Sequence, residues 1–202
     1  MVPRLLTITG PSGAGKSELV KIIQGLESPG FHPVLIPKFT TRPARSNDGP
    51  EVRCVDAIPP GCDIAYEQYG VRYGLRSRIL WNNLMAGRAP VVILNDVRAV
   101  EDVHIQFGGI AKAVYVFREA PSYNKLMSLS HERGATEGDE YSKRYLKAIM
   151  IHRIYIENVQ LFDWVILNVR KGLESMEQQM RNLLAFDGST TRELRSREDT
   201  KP

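Results

Sequence analysis

The chain has little of what usually marks a specialised class. Two cysteines in 202 residues, Cys54 and Cys62, are too few and too awkwardly spaced for a disulfide framework, a redox pair or a zinc knuckle. The longest uninterrupted apolar run, Ala113 to Phe117, falls far short of the about 20 residues a membrane span needs, so no membrane association is expected. The start, Met1 to Leu6, has too short an apolar stretch for a signal-peptide core, and the expected compartment is the cytoplasm. The four histidines, His32, His104, His131 and His152, show no metal spacing. No basic run reaches five residues although Lys plus Arg number 27 against 23 Asp plus Glu. Arginines placed singly or in pairs beside Gly, Thr and Tyr suit discrete phosphates better than a nucleic-acid backbone, so no nucleic-acid partner is expected. What remains is a globular composition: 43% apolar residues can bury one sizeable core without metal or disulfide.

Apolar runs alternate with helical periodicity along the chain. Leu5 to Ile8, Val34 to Ile36, Val91 to Leu94, Ala113 to Phe117 and Trp164 to Leu167 read as buried strands, with weaker ones around 51–55 and 63–68. Leu19, Ile22, Ile23 and Leu26 recur at helical spacing, as do Ile79 to Met85, residues 98–107 and the series Leu173, Met176, Met180, Leu183, Leu184. Further helices are predicted after Pro121 and from Tyr141 to Tyr155. Strands alternating with helices predict an α/β fold with a parallel core sheet. The stretch 187–202 has no apolar periodicity and is expected to be disordered, leaving one domain over 1–186.

Gly10-Pro11-Ser12-Gly13-Ala14-Gly15-Lys16-Ser17 satisfies G-x-x-x-x-G-K-[ST] between a predicted strand and a predicted helix. The residue types follow from the chemistry. Glycines let main-chain N–H groups curl around an anion, and the helix N-terminus adds partial positive charge. Gly10, Ser12, Gly13, Ala14, Gly15, Lys16 and Ser17 are therefore candidate ATP contacts, with Lys16 toward the β and γ phosphates and the Ser17 hydroxyl toward Mg²⁺. Asp96, just past a buried strand, is a second candidate for Mg²⁺ or else a helix cap. ATP and Mg²⁺ are the cofactors expected.

Four landmarks beyond this loop carry a resemblance. Thr40-Thr41-Arg42-Pro43-Ala44-Arg45, Tyr73-Gly74, Arg133-Gly134 with Lys143-Arg144, and Asp163-Trp164-Val165-Ile166-Leu167-Asn168 stand in the order found in the guanylate kinase family. The chain resembles that family over about residues 4 to 185. The resemblance implies a three-layer P-loop kinase with an acceptor-binding insert at about 38–74 and a helical lid at about 128–145. It implies transfer of the ATP γ-phosphoryl group to a phosphate-bearing small molecule, with Lys16, Arg133 and Arg144 catalytic and Asn168 beside the adenine. Arg42, Arg45 and Tyr73 can grip the acceptor phosphate; Lys38, Tyr66, Glu67 and Asn95 complete the candidate acceptor contacts. The family's guanine-reading glutamate falls on Ile64 by direct counting from Tyr73, and Glu67 reaches that role only through a one-residue slip. Lys38 stands where the family has serine, and Asn95-Asp96-Val97-Arg98 where it carries acidic residues. A nucleoside monophosphate such as GMP is the first acceptor reading. The alternative is a resemblance to ribose 1,5-bisphosphate kinases, whose acceptor has no base, and a third reading is a catalytically silent binding module.

Overall fold

The computed structural model describes residues 4–11, 13–26, 30–44, 48–68, 70–118, 149–150, 152–153, 155–168 and 172–198, the last segment as backbone alone from 186. In chain order the elements are β1 (Leu5–Thr9), α1 (Lys16–Gly25), β2 (Pro33–Leu35), β3 (Lys38–Thr40), β4 (Val52–Cys54), β5 (Ile64–Gln68), β6 (Val71–Leu75), α2 (Ser77–Met85), β7 (Ala89–Ile93), α3 (Val97–Phe107), β8 (Ala111–Phe117), β9 (Trp164–Leu167) and α4 (Gly172–Glu198). Residues 149–150, 152–153 and 155–157 are also helical.

Five strands form a parallel sheet in the order β2-β7-β1-β8-β9, with Thr7 of β1 opposite Val92 on one side and Ala113 on the other. Alternating side chains of the same strands feed two separate cores. Leu5, Val92, Ala113 and Tyr115 face α2 and α3, packing with Leu80, Val100, Val103 and Phe107. Leu6, Ile8, Val91, Ile93, Val114 and Val116 face α1 and α4, packing with Leu19, Ile23, Met176 and Met180. Every residue of β1 is buried, which is why these strands read as continuous apolar runs rather than alternating ones. The α/β class and the three layers expected from the sequence are what the chain adopts.

A second sheet, β4-β3-β6-β5, branches off after β2. Here β3 pairs parallel with β4 and antiparallel with β6, and β5 and β6 form a hairpin. Two of its strands escape the hydrophobic pattern. β3 is three residues long, with Lys38 and Thr40 buried instead of apolar groups, and Gly74 interrupts β6. The backbone of the last helix runs on through Asp187 to Glu198. The stretch carries Arg, Glu and Leu, all good helix formers, on a helix already nucleated by the packed turns around Met176 and Met180.

Candidate active site

The donor side is built at the C-terminal end of β1. Thr9 donates its hydroxyl to the Leu94 carbonyl at 2.7 Å, tying the strand end to β7. The chain then turns through Ala14 N–H donating to Pro11 O at 3.1 Å and enters α1 with Leu19 N–H donating to Gly15 O at 2.8 Å. Gly15 holds a left-handed φ of 97°, and a Cβ there would sit 2.6 Å from Asn168 Nδ2, so only glycine fits. Lys16 donates to the carbonyls of Gly10 and Pro11, both at 2.8 Å. Burial lowers its pKa to about 8 despite the opposing charge of Glu51. Asn168, at the end of β9, donates Nδ2 to Ala14 O at 2.7 Å, joining the loop to that strand. Arg118, just past β8, donates to Gly13 O at 2.5 Å. Ser12 lies outside the described residues.

Most of the candidate acceptor residues come from the second sheet. Tyr66 and Tyr73 are cross-strand partners on the β5–β6 hairpin and stack with centroids 4.9 Å apart. Lys38 lies under them, its ammonium 5.3 Å from the Tyr73 ring centre and donating to Ile93 O at 2.6 Å. Arg42 forks onto Asp48, with Nη1 donating to Oδ2 at 2.8 Å and Nη2 to Oδ1, while Nη1 also reaches Pro43 O at 3.0 Å. That ion pair holds its pKa above the usual guanidinium value. A carboxylate so gripped presents two oxygens in a plane, as two oxygens of a phosphate would. Tyr66 is nearly buried, and burial pushes its phenol well up. Its hydroxyl and Asn95 Oδ1 are both buried without a hydrogen-bond partner among the described residues, and Gln68 Nε2 donates to Asn95 O at 3.4 Å.

Lys38 joins the two sides. It is buried to 4% exposure, and burial first, then the charges of Lys16 and Arg42, lower its pKa to about 7, with Glu51 opposing. Lys16 of the loop and Arg42 of the insert thus both act electrostatically on Lys38. Among the sequence candidates, Gly10, Gly13, Ala14, Gly15, Lys16, Ser17 and Asn168 lie around the donor loop, and Lys38, Arg42, Tyr66, Tyr73 and Asn95 around the insert. Arg45, Arg133 and Arg144, with the lid, lie outside the described residues.

Glu67 does not join them. On β5, Ile64, Tyr66 and Gln68 turn one way and Ala65 and Glu67 the other, and no slip intervenes. Glu67 stands exposed with its carboxylate 3.9 Å from Arg72, while Ile64 is fully buried in the core. Asp96 accepts the Ala99 N–H at 3.2 Å through Oδ1 and is the N-cap of α3. Sequence reasoning passed over Asp48, Glu51, Gln68 and Arg118. Only Arg118, a cation immediately after a buried apolar run, left a visible signal; the other three are polar residues in turns or a hairpin, where such residues are ordinary.

No family model matches the chain, and the search of curated proteins finds no match. The search of solved structures finds a guanylate kinase from Anaplasma phagocytophilum, with a TM-score of 0.61 over 92% of this chain and 86% of that one. The fold is guanylate-kinase-like. At 17% identity the likeness concerns the path of the backbone and leaves the chemistry to the residues already described. Among the described residues, no helix is long and apolar enough to cross a membrane.

Proposed function

We propose that the protein is an ATP-dependent phosphotransferase that moves the γ-phosphoryl group of ATP onto a small acceptor already bearing a phosphate. The observation that carries the reading is Lys38, buried between Lys16 of the donor loop and Arg42 of the insert. A buried lysine that feels the charges of Lys16 and Arg42, with Glu51 as the carboxylate opposing them, is an unfavourable arrangement that an entering anion relieves. The donor loop supplies main-chain N–H groups, Lys16, Ser17 and Asn168 for ATP; the insert supplies Arg42, Tyr73 and Lys38 for the acceptor phosphate. Bound Mg²⁺ would neutralise β- and γ-phosphate oxygens, and the Ser17 hydroxyl is a hard oxygen donor suited to it.

In the reaction an acceptor phosphate oxygen attacks the γ-phosphorus, the bond from that phosphorus to the β,γ-bridging oxygen breaks, and ADP leaves. Lys16 serves charge that builds on the bridging and γ oxygens. Arg42 and Tyr73 hold the attacking phosphate in place, and Lys38 faces the space between. Arg133 and Arg144 are proposed to meet the group in transit.

The acceptor divides two versions of this reading. A nucleoside monophosphate such as GMP fits the phosphate grip. A ribose bisphosphate is favoured by a specific pair of observations: Ile64 is sealed in the core where a base-reading carboxylate is needed, and a lysine, Lys38, is buried beside Tyr73 of the insert. The Asn95 side-chain oxygen, buried without a partner among the described residues, and the nearby Tyr66 hydroxyl are apt for sugar hydroxyls. A coupled ADP-release assay over the nucleoside monophosphates and several sugar phosphates, ribose 1,5-bisphosphate included, decides. Turnover with one acceptor class names the substrate; silence with all, at saturating ATP and Mg²⁺, leaves the binding-module reading standing and sinks the enzyme.

A further inference from the structure

An ATP-dependent transfer needs a divalent cation held by hard oxygens, and two sequence candidates, Ser17 and Asp96, are arranged differently from each other. Asp96 has Oδ1 committed to the N-terminus of α3. Ser17, on the first turn of α1, donates its hydroxyl instead to Glu51 Oε1 at 3.1 Å, across 34 residues of chain. We propose that Glu51, carried by the acceptor-binding insert, is a divalent-cation ligand that completes the ATP site together with Ser17. The proposal rests on the reading that the donor loop binds ATP.

Three observations converge on it. The first is spacing: an octahedral Mg²⁺ with oxygens at ~2.1 Å places adjacent ligands ~3.0 Å apart, so the Ser17 and Glu51 oxygens already stand at the edge length of its coordination shell. The second is anchorage. Lys38 N–H donates to the Glu51 carbonyl at 3.2 Å, and the next residue, Val52, pairs with Lys38 in the β3–β4 ladder, so the root of the side chain is fixed by the sheet. The third is charge: the Glu51 carboxylate acts on both Lys16 and Lys38, which places it among the cations that surround the phosphates. Because Lys38 binds the Glu51 carbonyl and pairs with Val52 next to it, grip on the metal and grip on the acceptor become properties of the same small sheet.

The test is Mn²⁺ binding followed by electron paramagnetic resonance, in the presence of the non-hydrolysable ATP analogue adenylyl imidodiphosphate. Wild type is compared with Glu51→Gln and Asp96→Asn. Glutamine keeps the size and can still accept from Ser17, so a purely structural lock survives the change while an anionic ligand is lost. Asparagine remains a good helix N-cap. Loss of Mn²⁺ affinity by about tenfold or more in Glu51→Gln, with Asp96→Asn within about twofold of wild type, is the expected result. Glu51→Gln within about twofold of wild type, or an equal loss in Asp96→Asn, overturns the assignment of Glu51. Calorimetry of the analogue with the wild-type protein separates the two levels: no binding overturns the ATP reading itself, whereas binding with unchanged metal affinity in Glu51→Gln overturns the ligand alone.

Discussion

In the donor loop between β1 and α1, the groups available to an anion are main-chain N–H groups, fixed by glycines and by a sheet whose neighbouring side chains are fully buried. In the insert, the corresponding groups are the side chains of Lys38, Arg42 and Tyr73, mounted on a four-stranded sheet with an exposed face. The difference explains how each half tolerates change. A seat made of backbone demands one glycine spacing and one entry into a helix, and Gly15 shows how little room is left. A seat made of side chains keeps its sheet when a residue is exchanged, so Ile64 and Lys38 can stand where the guanylate kinase pattern has other residues while the strands stay paired.

The comparison is broken hardest at Lys16. Lys16→Ala should lower kcat by about a hundredfold or more while melting within about two degrees of wild type, since the lysine serves charge appearing only in transit. Retention of over about a tenth of the turnover sinks the donor-side assignment. On the acceptor side, Arg42→Ala should raise the acceptor KM about ten- to a hundredfold and leave the ATP KM nearly unchanged, a charged hydrogen bond being worth ~1.5–3 kcal/mol. A rise confined to the ATP KM would exchange the two halves.

Lys38 sharpens the contrast through pH. Its folded pKa of about 7 lies below the ordinary 10.5, so between those values the unfolded chain binds more protons and native stability rises with pH. Below about 7 the full cost of the buried ammonium is present. Lys38→Met should therefore stabilise the fold by about 1–3 kcal/mol at pH 6, with the gain shrinking as pH climbs toward 10, and weaken acceptor binding. Urea denaturation at several pH values reads this directly, and a gain that grows with pH refutes it. The smallest effect belongs to Glu67→Ala, which should change the acceptor preference by less than about twofold, because its pairing with Arg72 is solvent-exposed. Loss of GMP selectivity in that variant would show that the hairpin presents its other face to the substrate.

The core sheet was legible because its central strands β1 and β7 are buried at every residue and so leave runs of apolar letters. The donor loop was legible because glycine spacing and backbone geometry are one constraint. β3 was not, since its buried positions hold the polar Lys38 and Thr40 instead of apolar side chains. Asp48 and Glu51 were invisible for another reason: they meet Arg42 and Ser17 across a turn, and nothing local in Asn47-Asp48-Gly49-Pro50-Glu51 distinguishes such carboxylates from solvated ones. The alternation along β5, by contrast, already set Glu67 against Ile64, and the paired strands keep that alternation.

Under the proposed function, the position of Lys38 would also turn acceptor binding into a proton-coupled event. With a pKa of about 7, much of the population enters a titration at pH 8 with this amine neutral. A phosphate arriving beside it favours the ammonium, so the complex takes a proton from the buffer as it forms. The calorimetric heat of acceptor binding should then vary with the ionisation enthalpy of the buffer, with a slope that approaches one proton at pH 8 and declines toward pH 6. For a site whose amine is already held in a fold, the buffer is part of the reaction.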